Sequence, residues 1–589
     1  MAQLLGIVDY IVIAITLALS TLIGLYFRFS GGRQKTTNEF LMGNQNVHIL
    51  PVAVSIIATS LSSVSVLGVP AEMYLHGTQY VITGLGIPLG GLLAAYGFLP
   101  VFYEMQVSTA YQYLEKRFGK TIRTFVATLY TFLTVLDMGV VLYAPALALN
   151  AVTGLSTWAS ILSIAAVCMV YSSQGGLKAV VWTVVFQSAL MYLAMVALIV
   201  KISMMLGFNE VFDIARRGGR FIFFEFSGDL TERYTFWNSF AYGFTFWLLL
   251  YGSNQSTIQR FLSVGSLRKA QQALILSIPF LMFFTVFTLW DGIALYALFY
   301  DCDPIEDENV KLRSADQLMP YGILYIFGNI PGLTGLCIAG VFSASLGALS
   351  SAVNALANIT VEDFIKPFCC RNISDTWMTF IAKLLAVGYI GLILLMALVA
   401  SSFRSILEAA TIIYCMITAP ILGIYLLGMF STTANEKGTL VGLLTGVTLY
   451  AWAGFGNYIT KPGITTLPRN TTGCYTNSST EFVNISTDAT IIESSTDVLH
   501  LTKNEESDIF IVYKLSYMWL PLFSVVITLV VGYLTSFLLK FCIHVPEVKP
   551  ETISPFVRKL YFKTSADTEK SKLKIKKTET QKEKTVTAW

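Results

Sequence analysis

Residues 340–367 read GVFSASLGALSSAVNALANITVEDFIKP. The stretch begins as an apolar helix and then fills with small and hydroxyl residues: Ser343, Ala344, Ser345, Gly347, Ala348, Ser350 and Ser351. It ends on Asn354, the polar run Thr360–Asp363 and Lys366–Pro367. Small residues let a second backbone approach closely, and hydroxyls bond across helices or coordinate an ion. Alone, the stretch reads as a tight packing face as readily as an ion site. A counterpart at 51–74, PVAVSIIATSLSSVSVLGVPAEMY, interrupts another apolar helix with Thr59-Ser60-Leu61-Ser62-Ser63-Val64-Ser65. Polar breaks are tolerated inside a membrane only where they line a cavity. There, freed carbonyls face cations and half-helix N-termini face anions. The pair predicts a transporter centre.

The rest of the chain agrees. Of 589 residues, 54% are hydrophobic and 13% charged, with net charge +3, and the mean hydropathy is +0.64. That composition excludes an ordinary soluble domain. Apolar runs predict about thirteen spans, near 7–28, 50–75, 80–103, 123–150, 157–174, 180–206, 236–255, 272–300, 320–357, 376–401, 404–430, 436–457 and 511–540. The first lacks a signal-peptide cleavage pattern and reads as a retained helix.

Basic loops set the orientation. Arg28, Lys116, Lys120, Lys178, Arg268, Lys366 and the Lys-rich tail fall on one side, which the positive-inside rule makes cytosolic. The N-terminus is then outside and the C-terminus inside. Arg216, Arg217 and Arg220 break the pattern, because they fall outside. The polar loop 458–510 carries sequons at Asn470, Asn477 and Asn484 and reads as an exposed, glycosylated outer loop. Cys302 and Cys474 are the two cysteines expected on that face, where a disulfide can form. Cys369-Cys370 reads either as a palmitoylation site or as plain thiols. The tail 546–589 reads as disordered, with attraction to anionic lipid and a final Thr587-Ala588-Trp589 only faintly like a PDZ ligand.

Several motifs then point one way: FLMGNQNVHILPVAVSIIATS and VLGVPAEMY, FLPVFYEMQVSTAYQYLEKRFG at 98–119, YAPALALNAVTG at 143–154, GGLKAVVWT at 175–183, YGSNQSTIQRFL at 251–262, DCDP at 301–304, DQLMPY at 316–321 and TVEDFIKP at 360–367. Over about residues 5–545 the chain resembles the solute:sodium symporter family. It is most similar to the branch of sodium-coupled monocarboxylate, multivitamin and iodide transporters.

The resemblance implies an all-α integral membrane protein of the leucine-transporter fold, with inverted repeats at 50–206 and 236–430. One flanking helix and loop (1–49) precede them, an outer loop (207–235) joins them, and two helices (431–545) follow. It implies sodium as coupling ion, no other cofactor, a small anionic substrate and a plasma-membrane location. It places sodium on the carbonyls of Ala58, Leu61 and Ala344, and the substrate at Ser65, Trp247, Tyr251, Leu407 and Thr411. Trp247 and Tyr251 share a helix face by spacing, which by itself is equally a packing pattern.

The chain departs from the family pattern in three places. The hydroxyl pair of S-G-T-L-S-T is Gly347-Ala348, which either weakens sodium binding or leaves Ser345, Ser350 or water to substitute. The Asp of W-T-D-x-F-Q is Val184. A carboxylate, Asp137, stands where the family has Y-T-G. A charge inside a membrane helix costs about 2.5–3.5 kcal/mol and is a functional candidate by default. Asp137 is read as a cation site, a partner for a cationic substrate, or a proton carrier. The leading reading is a secondary active transporter of small organic anions. A sodium-independent or proton-coupled carrier and a non-transporting solute sensor remain as alternatives. With four His, no phosphate loop and no placed nucleophile–base pair, the chain does not read as an enzyme or a nucleic-acid binder.

Overall fold

The structure is a computed structural model. It describes all residues except 1–4, 31–35, 154–155, 308–309, 311, 313, 369–372, 402–405, 461–465, 476–509, 542–546 and 563–589. Among the described residues it is entirely helical. Asn477, Asn484, Cys369-Cys370, most of the Lys-rich tail and the C-terminal tripeptide lie outside the described residues.

The Leu333–Ile359 helix is the axis, buried from Val341 to Ile359 without interruption. Its small residues set how close its neighbours come. A β-carbon on Gly340 would stand 2.6 Å from the Leu190 carbonyl oxygen of the Thr157–Leu206 helix. That helix has 50 residues, about 75 Å at 1.5 Å per residue, far more than a bilayer's ~30 Å. Gly176, at φ 60° and ψ −166°, divides it, as the gap between 174 and 180 predicts. The Ile7–Phe29 helix packs on it at Gly24, where a β-carbon would come within 2.5 Å of that of Tyr171. Its other face exposes Ile7, Ile11 and Leu22, as a lipid-facing helix does.

Among the described residues, ten helices are long and apolar enough to cross a membrane, or eleven if one bent pair counts as a span. Thirteen are not reached because breaks leave the halves of 50–75 and 236–255 too short and because Thr157–Leu206 counts once for two expected spans. Ile49–Ser60 and Ser63–His76 are separate helices, as are Phe236–Gly252 and Gln255–Leu262. The expected span 320–357 is likewise two helices, Leu318–Phe327 and Leu333–Ile359, with Gly332 at φ 86° between them. The expected 511–540 begins as a helix only at Leu520, with Pro521 in its first turn.

Residues 547–562 belong to the expected disordered tail but are docked. Ile553 is buried, the Ser554 amide donates to the Met429 carbonyl (2.9 Å), and Arg558 grips Glu104 (2.9 and 2.7 Å). A few apolar anchors in a Lys-rich segment outweigh its composition. On the same face Asp363 is fully buried against Arg123 (Nε to Oδ1 2.7 Å), with Thr109 donating at 2.9 Å. Arg123 also pairs with Glu115 and donates to the Glu362 carbonyl (2.8 Å), so the loss of Asp363 does not strand it. Asp363→Ala is expected to cost about 1–3 kcal/mol, read as a lowered melting temperature in detergent. A melt unchanged from the parent would refute a structural role for this pair.

The opposite face is fastened differently. A disulfide joins Cys302 and Cys474 (S–S 2.03 Å). Arg469 pairs with Asp303 (2.8 Å) and Glu306 (2.6 Å). Arg220 is wholly buried. It donates to the carbonyls of Tyr74 (2.8 Å), Gly218 (2.7 Å) and Pro468 (3.0 Å) and lies 3.9 Å over the Tyr296 ring. This arginine, which counts against the loop-charge rule, is a tie between backbone segments. Burial pushes its pKa down from the usual guanidinium value.

Candidate functional site

Two broken helices frame the centre. In the first, Thr59 and Ser60 turn their hydroxyls back onto the Ser55 and Ile56 carbonyls (2.6 and 2.8 Å). Such back-bonding competes with the helical ladder. The chain then becomes extended at Leu61 (φ −113°, ψ 131°) and Ser62 (φ −122°, ψ 175°) before the Ser63–His76 helix begins. In the second, Ser253 back-bonds to the Leu249 carbonyl (2.9 Å), and Asn254 restarts the helix by accepting from the Thr257 amide (3.3 Å). Each break sets a carbonyl-ended half-helix against an amide-ended one.

Between the breaks lies a cavity of about 170 Å³. Ser65 from the first break, Trp247 beside the second, Asp137 from the Lys120–Thr153 helix, and Leu407 and Thr411 from the Ile406–Phe430 helix all line it. Asp137 is the one charged side chain on the wall. Tyr251 does not reach the cavity. It is fully buried behind Trp247, with ring centroids 5.8 Å apart, and faces Gly91. The two rings do share a face, but on that face the cavity stops at Trp247. Thr134, Asn254 and Tyr414 also line the wall. Asn254 lies in the quoted motif YGSNQSTIQRFL, Thr134 stands one turn before Asp137, and Tyr414 had no signal.

The expected ion position adjoins this cavity, with Leu61 and Ala348 on the cavity wall. Because Ser62 is extended, the Ala58 carbonyl lacks the amide that a continuous helix would bring to it. A β-carbon on Gly347 would lie 3.7 Å from that oxygen, 3.6 Å from Val184 and 3.3 Å from Gln187 Oε1. Ala58, Val180 and Val184 form a small apolar cluster, which is the consequence of losing the acid. The Ser345 hydroxyl lies against Ser63 Oγ (2.5 Å) and the Val141 carbonyl (2.9 Å), which take its proton and leave its oxygen lone pairs. Ser350 and Ser351 donate to the Gly347 carbonyl (3.2 and 2.5 Å). Gln187 is different: its side-chain oxygen is buried without a hydrogen-bond partner, while the side chain stays in contact with the Tyr171 hydroxyl. The adjacent Tyr171 hydroxyl gives its proton to the Leu346 carbonyl instead (2.8 Å). An orphaned amide oxygen beside a freed carbonyl is the donor type a hard cation takes.

A bundle broken at two helices around a central polar cavity is a secondary transporter. The chain belongs to the sodium:solute symporter family, whose sequence profile matches residues 40–446. It is 36% identical to the sodium-coupled monocarboxylate transporter 1 of Homo sapiens, over 90% of this chain and 86% of that one. It is 37% identical to the sodium-dependent multivitamin transporter of Oryctolagus cuniculus, over 94% and 86%. A solved structure of a Na+-coupled sialic acid symporter, at 21% identity, superposes with a TM-score of 0.73 over 92% of this chain and 99% of that one. The fold is the leucine-transporter fold.

Proposed function

We propose that the protein is a plasma-membrane symporter that moves small organic anions with sodium, short monocarboxylates ahead of carboxylate vitamins. The observation that carries this reading is the amide-ended start of the Ser63–His76 half-helix at the cavity wall, with Ser62, Val64 and Ser65 lining the space. Free amides and the positive end of a helix dipole hold a carboxylate. The relatives named above are coupled to sodium and carry monocarboxylates or vitamins. Size favours the smaller solutes: about 170 Å³ holds on the order of ten waters at ~10–15 Å³ each.

Ser65 supplies a hydroxyl to the carboxylate, Trp247 covers its apolar tail, and Leu407 and Thr411 close the far wall. Sodium is held by the Ala58 carbonyl and Gln187 Oε1, with Leu61 and Ala344 contributing backbone, and Asp137 supplies the negative charge that offsets the ion. The inverted repeats run over 50–206 and 236–430. Alternating access comes from rocking one set of helices against the other. Sodium-independent carriage and solute sensing are not favoured by the family match.

Uptake of labelled short monocarboxylates and of a biotin-sized vitamin, with sodium exchanged for choline, tests the reading. Sodium-dependent uptake of the short acids is expected. Transport of neither class, or uptake indifferent to sodium, would sink it.

The N-terminus lies outside and the C-terminus in the cytosol, with glycans on Asn470, Asn477 or Asn484. Treatment of the cell-expressed protein with a glycosidase is expected to increase its gel mobility. An unshifted band counts against this topology.

A further inference from the structure

On the face that carries the disulfide, Arg233 stands between two carboxylates from different helices. It grips Glu72 of the Ser63–His76 helix with two nitrogens, Nη2 at 2.8 Å and Nε at 3.3 Å. Its Nη1 reaches Glu408 of the Ile406–Phe430 helix at 3.2 Å. All three side chains are nearly buried, at 16%, 7% and 8% exposure for Arg233, Glu72 and Glu408. The two acids are held unequally. Glu72 also accepts from the Tyr234 hydroxyl (2.6 Å) and lies 3.5 Å from His76. Glu408 is joined to Arg233 by that one long contact. Glu408 also sits between Leu407 and Thr411, both on the cavity wall, and Tyr80 of the wall packs edge-on against Tyr234 at 5.8 Å. One aromatic layer therefore separates the cluster from the cavity.

We infer that Arg233 Nη1 is the first docking point for the substrate's carboxylate, which takes the place of Glu408. The exchange replaces one carboxylate by another on the same guanidinium, so charge is conserved and the geometry is already formed. Glu408 acts as an internal stand-in for the substrate. Its displacement removes the only ion pair between Arg233 and the Ile406–Phe430 helix, while Glu72 keeps Arg233 in place. The ion pair that ties Arg233 to the Ile406–Phe430 helix is then broken by the solute itself. The inference rests on the carboxylate reading given above.

The test is influx kinetics of a short monocarboxylate at saturating sodium in whole cells, with surface biotinylation to normalise for protein. Glu408→Gln weakens the internal competitor and is expected to lower the external KM roughly 3- to 10-fold. Arg233→Lys keeps the charge but loses the fork and is expected to raise it by about 10-fold. The half-saturation for efflux, set at the opposite face, is expected to stay at the parent value in both. If Glu408→Gln does not reach the surface, Glu408→Asp withdraws the carboxylate by one methylene and is expected to lower the external KM as well. An external KM that is unchanged or raised on weakening Glu408 overturns the inference. If the parent takes up no monocarboxylate, it is the transport reading that has failed.

Discussion

Asp137→Asn is expected to raise the sodium concentration for half-maximal uptake by about 10- to 100-fold. Asp137 lies on the cavity wall as its only charged group, with neither lysine nor arginine among the lining residues. A carboxylate facing an anionic substrate in so small a space repels it unless a cation intervenes. Opposite unit charges 4 Å apart attract by about 4 kcal/mol at an effective dielectric of 20. Part of that is returned in desolvation, and each 1.4 kcal/mol is about tenfold in affinity. Asparagine keeps the shape, so surface expression and thermal stability without sodium are expected to stay at the parent level. A sodium curve that superposes on the parent's would remove Asp137 from the ion's surroundings.

Restoring the oxygens at the expected ion position is expected to act in the opposite sense. Val184→Asp, Gly347→Ser and Ala348→Thr together should lower the half-maximal sodium concentration by about tenfold or more. The space is there: a β-carbon on Gly347 meets Val184 and the Ala58 oxygen at ordinary contact distance and only Gln187 more tightly. Sodium-dependent thermal stabilisation of the purified protein gives a readout independent of flux. Gln187→Leu in the parent should weaken that stabilisation markedly. In the triple variant the same change should matter less, because neighbouring ligands are not additive. If the triple variant binds sodium no better than the parent, the ion is held elsewhere.

The centre of this protein was legible because breaking a membrane helix takes a dense and unusual local composition. Seven residues from Thr59 to Ser65 hold five hydroxyls, and the break falls among them, at Leu61 and Ser62. The second break had no such signal. Ser253 and Asn254 are a short polar step in an aromatic helix, and only the resemblance pointed there. Side-chain direction was the least legible level. Trp247 and Tyr251 share a face, yet only Trp247 reaches the cavity and Tyr251 is packed behind it. Composition makes Ser345 a plausible ligand, but it does not show that its proton goes to Ser63 and Val141. Gln187 belonged to a quoted motif but gave no hint of its unpartnered oxygen. That property belongs to its surroundings, and no single residue carries it.

Arg220 ends on three carbonyls from three stretches of chain, and not on an acid. Its hydrogen bonds therefore end on neutral oxygens that acidification does not protonate, although the Asp303 carboxylate stands within electrostatic reach. With the Cys302–Cys474 link and the Arg469 pairs to Asp303 and Glu306 on the same face, that face is held by hydrogen bonds to backbone, by ion pairs and by a covalent bond. A reductant cuts the covalent bond and acid or salt loosens the ion pairs, and neither releases Arg220 from its carbonyls.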